Sequence, residues 1–359
     1  MADHKKQHFV PKFYLRNWSP DDRLITMLHL ETGKYIPRAP LADQCQENWL
    51  YGTDLKIEKA LGVIEAHAAK VIGDVIQGGA APLNRSPDYG ILQTFVICQI
   101  ARTVAAGDAL ENMTEDFLKG LLATEYGEEA LNGARVSMDL PSGRSLAAAL
   151  SARHFLVDLD LKVLRLACDG EFITSDDPAV VCNPFTELMF KRAFTGFAHR
   201  GLQIFLPLDP KHVALFYDSW MYRVGETDQA IVEVRSRRDL AALNALQARY
   251  ATECLYTKTL GADALTRICR VRSARDPAVR HSIRIEGDGL AAGSAIKSVS
   301  AFVQAEIPVS ELALGCVSLT RRGERHLRLW KGKNEVPFGE IMRWMPDGSR
   351  PKGFEPDRR

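Results

Sequence analysis

His8, Arg102 and Asp176 are the polar side chains of this sequence whose types and settings suit chemistry. His8 stands in Q-H-F-V-P-K-F-Y-L-R-N-W (7–18), just ahead of a Val-Pro step and a helix start. An imidazole there can act as general acid or base, bind a metal, or anchor the chain by a hydrogen bond. Asp176 lies in T-S-D-D-P (174–178) at the end of an expected strand, and rigid strand ends are places from which functional groups are aimed. Pro178 favours an extended Asp177; if Asp176 is extended too, the two carboxylates point to opposite faces. Asp176 is therefore expected to face inward and Asp177 to meet solvent. Arg102 follows Gln99 by three residues, so the two share a helical face. The planar fork of Arg102 can clamp a phosphate or carboxylate, or pair with Glu65 or Glu58 of the preceding helix.

As one site, these residues suit hydrolysis of a phosphodiester or nucleotide-type substrate. His8 would be the acid/base, Asp176 a base or metal ligand and Arg102 an anion clamp, with Gln99, Ser175 and Glu65 binding substrate. Three distant segments must converge for this to work. In the competing expectation the chain is a non-enzymatic binding or interaction protein, and the same residues form a buried network with internal hydrogen bonds. Ser175 and Asp176 then merely hold an Asx or ST turn. A third expectation is nucleic-acid binding through the basic run R-R-G-E-R-H-L-R-L-W-K-G-K (321–333), read as a charged edge strand with Trp330 able to stack on a base. No cofactor or metal is specified. The chain has no H-E-x-x-H, G-x-S-x-G or P-loop, and the glycines of 287–293 are spaced one residue too far for a dinucleotide fingerprint.

The bulk numbers restrict these options. With 46 basic and 45 acidic side chains the net charge is +1, too balanced for a general nucleic-acid coat but open to a local basic groove. The most apolar stretch, 91–106, is interrupted by Gln93, Gln99 and Arg102, so no membrane span is expected. The opening residues lack an apolar leader, and the seven cysteines form no C-x-x-C pair. Reduced thiols in a cytoplasmic protein are the expectation.

Pattern and punctuation then place the elements. Residues 23–37 read as a hairpin turning at Gly33, and 54–77 carries helical periodicity. Ser86-Pro87 reads as a cap and first-turn start for a helix over 86–106, with further helices at 111–126, 146–158 and 236–250. Strands are expected at 202–206, 213–216 and 254–257, and on either side of Cys168-Asp169-Gly170 as a second hairpin. Beyond Gly261 the pattern offers strands at 280–285, 299–303 and 325–330, then a Pro/Gly/Arg-rich tail. The fold class is α+β, a helical N-terminal half (54–158) packed on a mainly antiparallel sheet from the second half (160–257). Residues 1–260 are expected to form the main domain, with 261–345 a β-rich extension and 346–359 a disordered tail.

Three blocks together resemble an uncharacterised, mainly bacterial family, domain-of-unknown-function family 4238. Its opening H-[FY]-V-P-x-x-Y-L-x-x-[FW] is matched by His8, Phe9, Val10, Pro11, Tyr14, Leu15 and Trp18. Its helical Q-x-x-R is matched by Gln99 and Arg102, and its F-[IV]-T-S-D-x-P by Phe172 to Asp176 and Pro178. P-L-D-P-K-H at 207–212 and L-N-A-L-Q at 243–247 are also similar to that family. The resemblance spans roughly 5–260 and implies no activity.

Overall fold

Helices and strands are interspersed along the chain in the computed structural model, which describes residues 5–78, 80–126, 135, 137–190, 194–270, 280–286, 300–306, 312–333, 336–345 and 348–351. The glycine run 287–293 and the tail residues 352–359 lie outside them. The first third runs β1 (Lys6–His8), α1 (Lys12–Leu15), β2 (Leu24–His29), β3 (Tyr35–Pro40), β4 (Gln46–Asn48), α2 (Lys56–Ile76), α3 (Pro87–Ala101) and α4 (Val104–Tyr126). The middle adds α5 (Pro141–Ser151), β5 (Asp160–Leu166), β6 (Thr174–Ser175), β7 (Val180–Cys182), α6 (Pro184–Phe190), β8 (Gln203–Asp209), β9 (His212–Tyr217) and β10 (Tyr222–Val224). There follow β11 (Ile231–Val234), α7 (Arg237–Tyr250), β12 (Cys254–Thr257), α8 (Ala262–Cys269), β13 (Arg280–Glu286), β14 (Ser300–Glu306), β15 (Val317–Leu319), α9 (Arg321–Trp330) and α10 (Phe338–Ile341).

The mixed α+β class holds, but the division into a helical first half and a sheet-forming second half does not. The four-stranded sheet has the order β3-β2-β12-β6, so the hairpin of residues 24–40 completes a sheet with strands more than a hundred residues away. The other main sheet, β11-β5-β9-β8-β7, is antiparallel except for the parallel pair β11–β5.

That five-stranded sheet is a wall between two cores, and strand alternation sorts its side chains. Leu161, Val163, Ile204, Leu206, Ala214 and Phe216 face the first core with α1, α2 and α3. Leu164, Leu166, Phe205, Val213 and Leu215 face the second, with Phe185 of α6 and Leu240, Leu243 and Leu246 of α7. With both faces covered, β8 is apolar almost throughout and buried along its length except at Asp209.

Local signals explain the agreements and the departures. Ser86 Oγ accepts the backbone N–H of Tyr89 at 3.2 Å, so the Ser-Pro start of α3 forms as its sequence dictates. The helix expected to reach residue 106 instead stops at Arg102, and α4 restarts at Val104 with a bend of 63°. The expected hairpin around Cys168-Asp169-Gly170 does not form. Gly170, at φ 122°, turns the chain out of β5, and β6 joins the other sheet. The basic run at 321–333 is not an edge strand. Thr320 caps Gly323 N–H at 3.0 Å, and the inward residues Gly323 and His326 follow helical spacing. Among the described residues no single helix is long and apolar enough to cross a membrane.

Candidate functional site

The block 7–18 works as a strap that polar ends fasten to four separate segments. The buried Gln7 amide donates to Gly52 O at 3.0 Å and accepts Tyr51 N–H at 2.7 Å. Those contacts hold β4 antiparallel to β1, although Cys45 (φ 52°) and Trp49 (φ 57°) on either side of it occupy the left-handed region. Tyr14 Oη donates to Pro207 O at 2.7 Å, which leaves its oxygen to accept from Thr174 Oγ1 at 2.8 Å. Asn17 Nδ2 reaches Leu208 O at 2.7 Å, and Trp18 Nε1 reaches Phe172 O at 2.9 Å. The aromatic bulk is thereby tied to the T-S-D and P-L-D blocks.

His8 is half-buried, and its Nδ1 lies 3.0 Å from the carbonyl oxygen of Gln44. A carbonyl only accepts, so Nδ1 carries the proton and the neutral ring keeps a lone pair on Nε2. Burial pushes this imidazole down to about 4, and the nearby Lys12 ammonium adds to the effect.

Arg102 is fully buried where α3 ends. Its Nε donates to Phe9 O at 2.6 Å and its Nη1 to Glu65 Oε1 of α2 at 2.7 Å, while its own carbonyl accepts Tyr51 Oη at 3.1 Å. The pairing is the Glu65 alternative, and the helix pair supplies it. Gln99, one turn earlier, is also fully buried. Both its amide atoms and Arg102 Nη2 lack a hydrogen-bond partner among the described residues.

Asp177 is half-buried rather than open to solvent, and Asp176 is buried in the bend that follows β6. Its carboxylate accepts Thr252 N–H at 3.0 Å and Glu253 N–H at 2.7 Å, one on each oxygen. Burial raises this carboxyl above its ordinary value, against the pull of those backbone N–H groups. Ser175 Oγ accepts Asp177 N–H at 3.1 Å and Gln247 Nε2 at 2.5 Å, the geometry of an ST turn braced by α7. Asn244, also on α7, donates to Glu171 O at 2.9 Å and accepts Ile173 N–H at 3.1 Å.

The six residues fall into two groups. His8, Gln99, Arg102 and Glu65 gather at the strap and the α2–α3 pair; Ser175 and Asp176 sit with α7 and the start of β12. Gln44, Cys45 and Tyr256 link the groups. Cys45 Sγ lies 3.2 Å from Tyr256 Oη, which donates to Gln44 Oε1 at 3.3 Å. No hydrogen bond joins His8 to Asp176. Among the described residues no three His, Cys, Asp or Glu side chains are grouped to hold a metal ion. The sequence does not mark Gln7, Gln44, Asn244 or Gln247 individually as functional residues. A buried amide carries no pattern of its own, and only the L-N-A-L-Q block hinted at the last two.

Fold and site together define an α+β protein whose N-terminal strap is locked by buried polar groups. The chain belongs to the family described as "Protein of unknown function (DUF4238)", whose model matches residues 6–259. No curated protein and no solved structure matches it.

Proposed function

We propose that this chain is a non-catalytic binding protein in which His8, Arg102 and Asp176 belong to a buried structural network. The observation that carries this reading is the Asp176 carboxylate, whose two oxygens each accept a backbone N–H of residues 252–253. Ser175, Glu65 and Arg102 likewise spend polar atoms on partners within the fold. The seven cysteines are all unpaired, which suits the cytoplasm of a bacterium as its compartment. Denaturant unfolding of Asp176→Ala tests the reading. A network residue should cost about 1–3 kcal/mol, because the N–H groups of Thr252 and Glu253 lose their acceptor. Unchanged or increased stability, as often follows removal of a catalytic residue, would sink it.

A second reading, hydrolysis of a phosphodiester or nucleotide-type substrate, draws on the other group. Among the described residues His8 Nε2 has no hydrogen bond, and Arg102 Nη2 and the Gln99 amide have no partner. In this reading Nε2 is the base and the two buried groups bind the substrate, with Asp176 at a distance as a brace. His8→Asn, which keeps a donor toward Gln44, should then abolish turnover of a phosphodiester such as bis(4-nitrophenyl) phosphate without loss of stability. Retained turnover would rule out His8 as the base.

A further inference from the structure

The outer face of α9 and the turn after it carry six Lys and Arg side chains over residues 321–333. Gly323 lets the helix settle against the chain at residue 221, since a Cβ there would come within 2.5 Å of Met221 O. Thr320 fastens the start by donating to Trp220 O at 2.7 Å. His326 is buried beside the rings of Phe185 and Trp220, at 5.5 and 5.8 Å, and Leu327 and Trp330 pack against the second core. The inward set 323, 326, 327 and 330 therefore uses up the apolar stripe of the helix.

Everything else points to water. Arg321, Arg322, Arg325, Arg328, Lys331 and Lys333 are exposed, and Glu324 is the only acidic side chain among them. Arg321, Arg325 and Arg328 fall in one row at i, i+4 and i+7, a line about 10 Å long at 1.5 Å per residue. None of these three makes an ion pair or side-chain hydrogen bond among the described residues. A row of unpaired guanidinium forks on a rigidly seated helix is matched by evenly spaced phosphates, which such forks bind in bidentate fashion. An anionic bilayer fits less well. Interfacial helices bury an apolar face in the lipid, and here that face is already inside the protein, with Leu329 the one exposed large apolar side chain of the helix.

We propose that the solvent face of α9 docks the phosphate backbone of a nucleic acid through Arg321, Arg325 and Arg328. This names a partner for the binding protein proposed above and rests on that reading. The two fail separately, because Asp176→Ala probes the network and leaves α9 intact.

The test is fluorescence anisotropy of a labelled DNA duplex and a labelled oligouridylate with the full chain, titrated with salt. Three phosphate contacts predict a log–log salt slope of about −2.7 on the duplex, roughly a 40-fold loss of affinity from about 50 to about 200 mM salt. The triple variant Arg321→Gln/Arg325→Gln/Arg328→Gln should lose at least about tenfold and flatten the slope, with an unchanged melting curve. The corresponding triple Arg→Lys variant should keep the slope, and Arg325→Gln/Arg328→Gln serves if the triple Gln chain misfolds. Three results would overturn the assignment: no binding to either nucleic acid at low salt, affinity unaltered in the Gln variants, or binding only to phosphatidylserine vesicles.

Discussion

Arg102 Nε donates to the carbonyl oxygen of Phe9 at 2.6 Å, so the side chain that ends α3 holds the backbone directly after His8. The same guanidinium reaches Glu65 at 2.7 Å, and one residue thereby joins strap, α2 and α3. The first and second family blocks are thus one structural unit. The third and fifth form another, through Asp176, Ser175 and Gln247.

Arg102→Lys should therefore destabilise the protein strongly although it keeps the charge. A single ammonium cannot span Phe9 O and Glu65 as the fork does. Breaking a buried pair costs about 3–5 kcal/mol, and because Glu65 is 26% exposed the low end of that range is expected. Urea unfolding measures it, and a loss below about 1 kcal/mol would show that the fork is not what fastens the strap.

Gln99 offers the opposite sign. Its two amide atoms are buried without partners among the described residues, and an unpaired buried polar group costs about 1–3 kcal/mol. Gln99→Met, of similar volume, should raise stability by about 1 kcal/mol or more in the same assay. A comparable loss would mean that the amide is engaged by a bound group, which would favour the hydrolytic reading.

Stability should also fall on the acid side of neutrality. His8 is lowered from 6.5 to about 4 in the folded chain, so between those values the unfolded chain binds more protons. Stability then rises with pH across that window and is lost as pH falls toward 4. His8→Asn keeps a donor toward Gln44 and removes the titrating ring, so its stability gap between about pH 7 and pH 4.5 should narrow. His199, pushed by burial to about 4, leaves a residual slope. A gap as wide as in the parent chain would place the acid sensitivity elsewhere.

The sequence makes the elements with strong punctuation legible. Ser86-Pro87, the Gly33 turn and the periodicity of 54–77 all act locally, and the last forms α2 at Lys56–Ile76. The choice of sheet for each strand is not legible, because the run from β5 through Gly170 to β6 satisfies a hairpin pattern and only the packing on α7 sends β6 to β12. The basic run at 321–333 fits two periods over ten residues, and Thr320 and Gly323 decide for helix. At the site, His8, Arg102 and Asp176 stand out by residue type. What each touches depends on main-chain atoms at 9, 44 and 252–253, and backbone groups leave no mark in a sequence.

A chain cut after Thr259, at the edge of the family match, should not fold as a unit. Leu314 lies in the second core, and Leu327, Trp330, Val336 and Ile341 pack against it over the sheet formed by residues inside that match. Fully burying a large apolar side chain is worth about 1.5–3 kcal/mol, so losing even three of these partly buried ones approaches half of a typical total stability. The polar consequences are as severe. Arg200 Nε and Nη2 donate to Glu340 O and Met342 O at 3.1 and 3.0 Å and would lose both of these acceptors. Asp158 would lose Arg343, Trp344 Nε1 at 3.1 Å and Arg350 Nη1 at 2.6 Å, the last two stacked on each other at 3.4 Å. The expected outcome is a truncated chain that binds a hydrophobic dye and melts without a cooperative transition, read by fluorescence and circular dichroism. A sharp melt within a few degrees of the full chain would show that residues 312–351 decorate the fold rather than complete it.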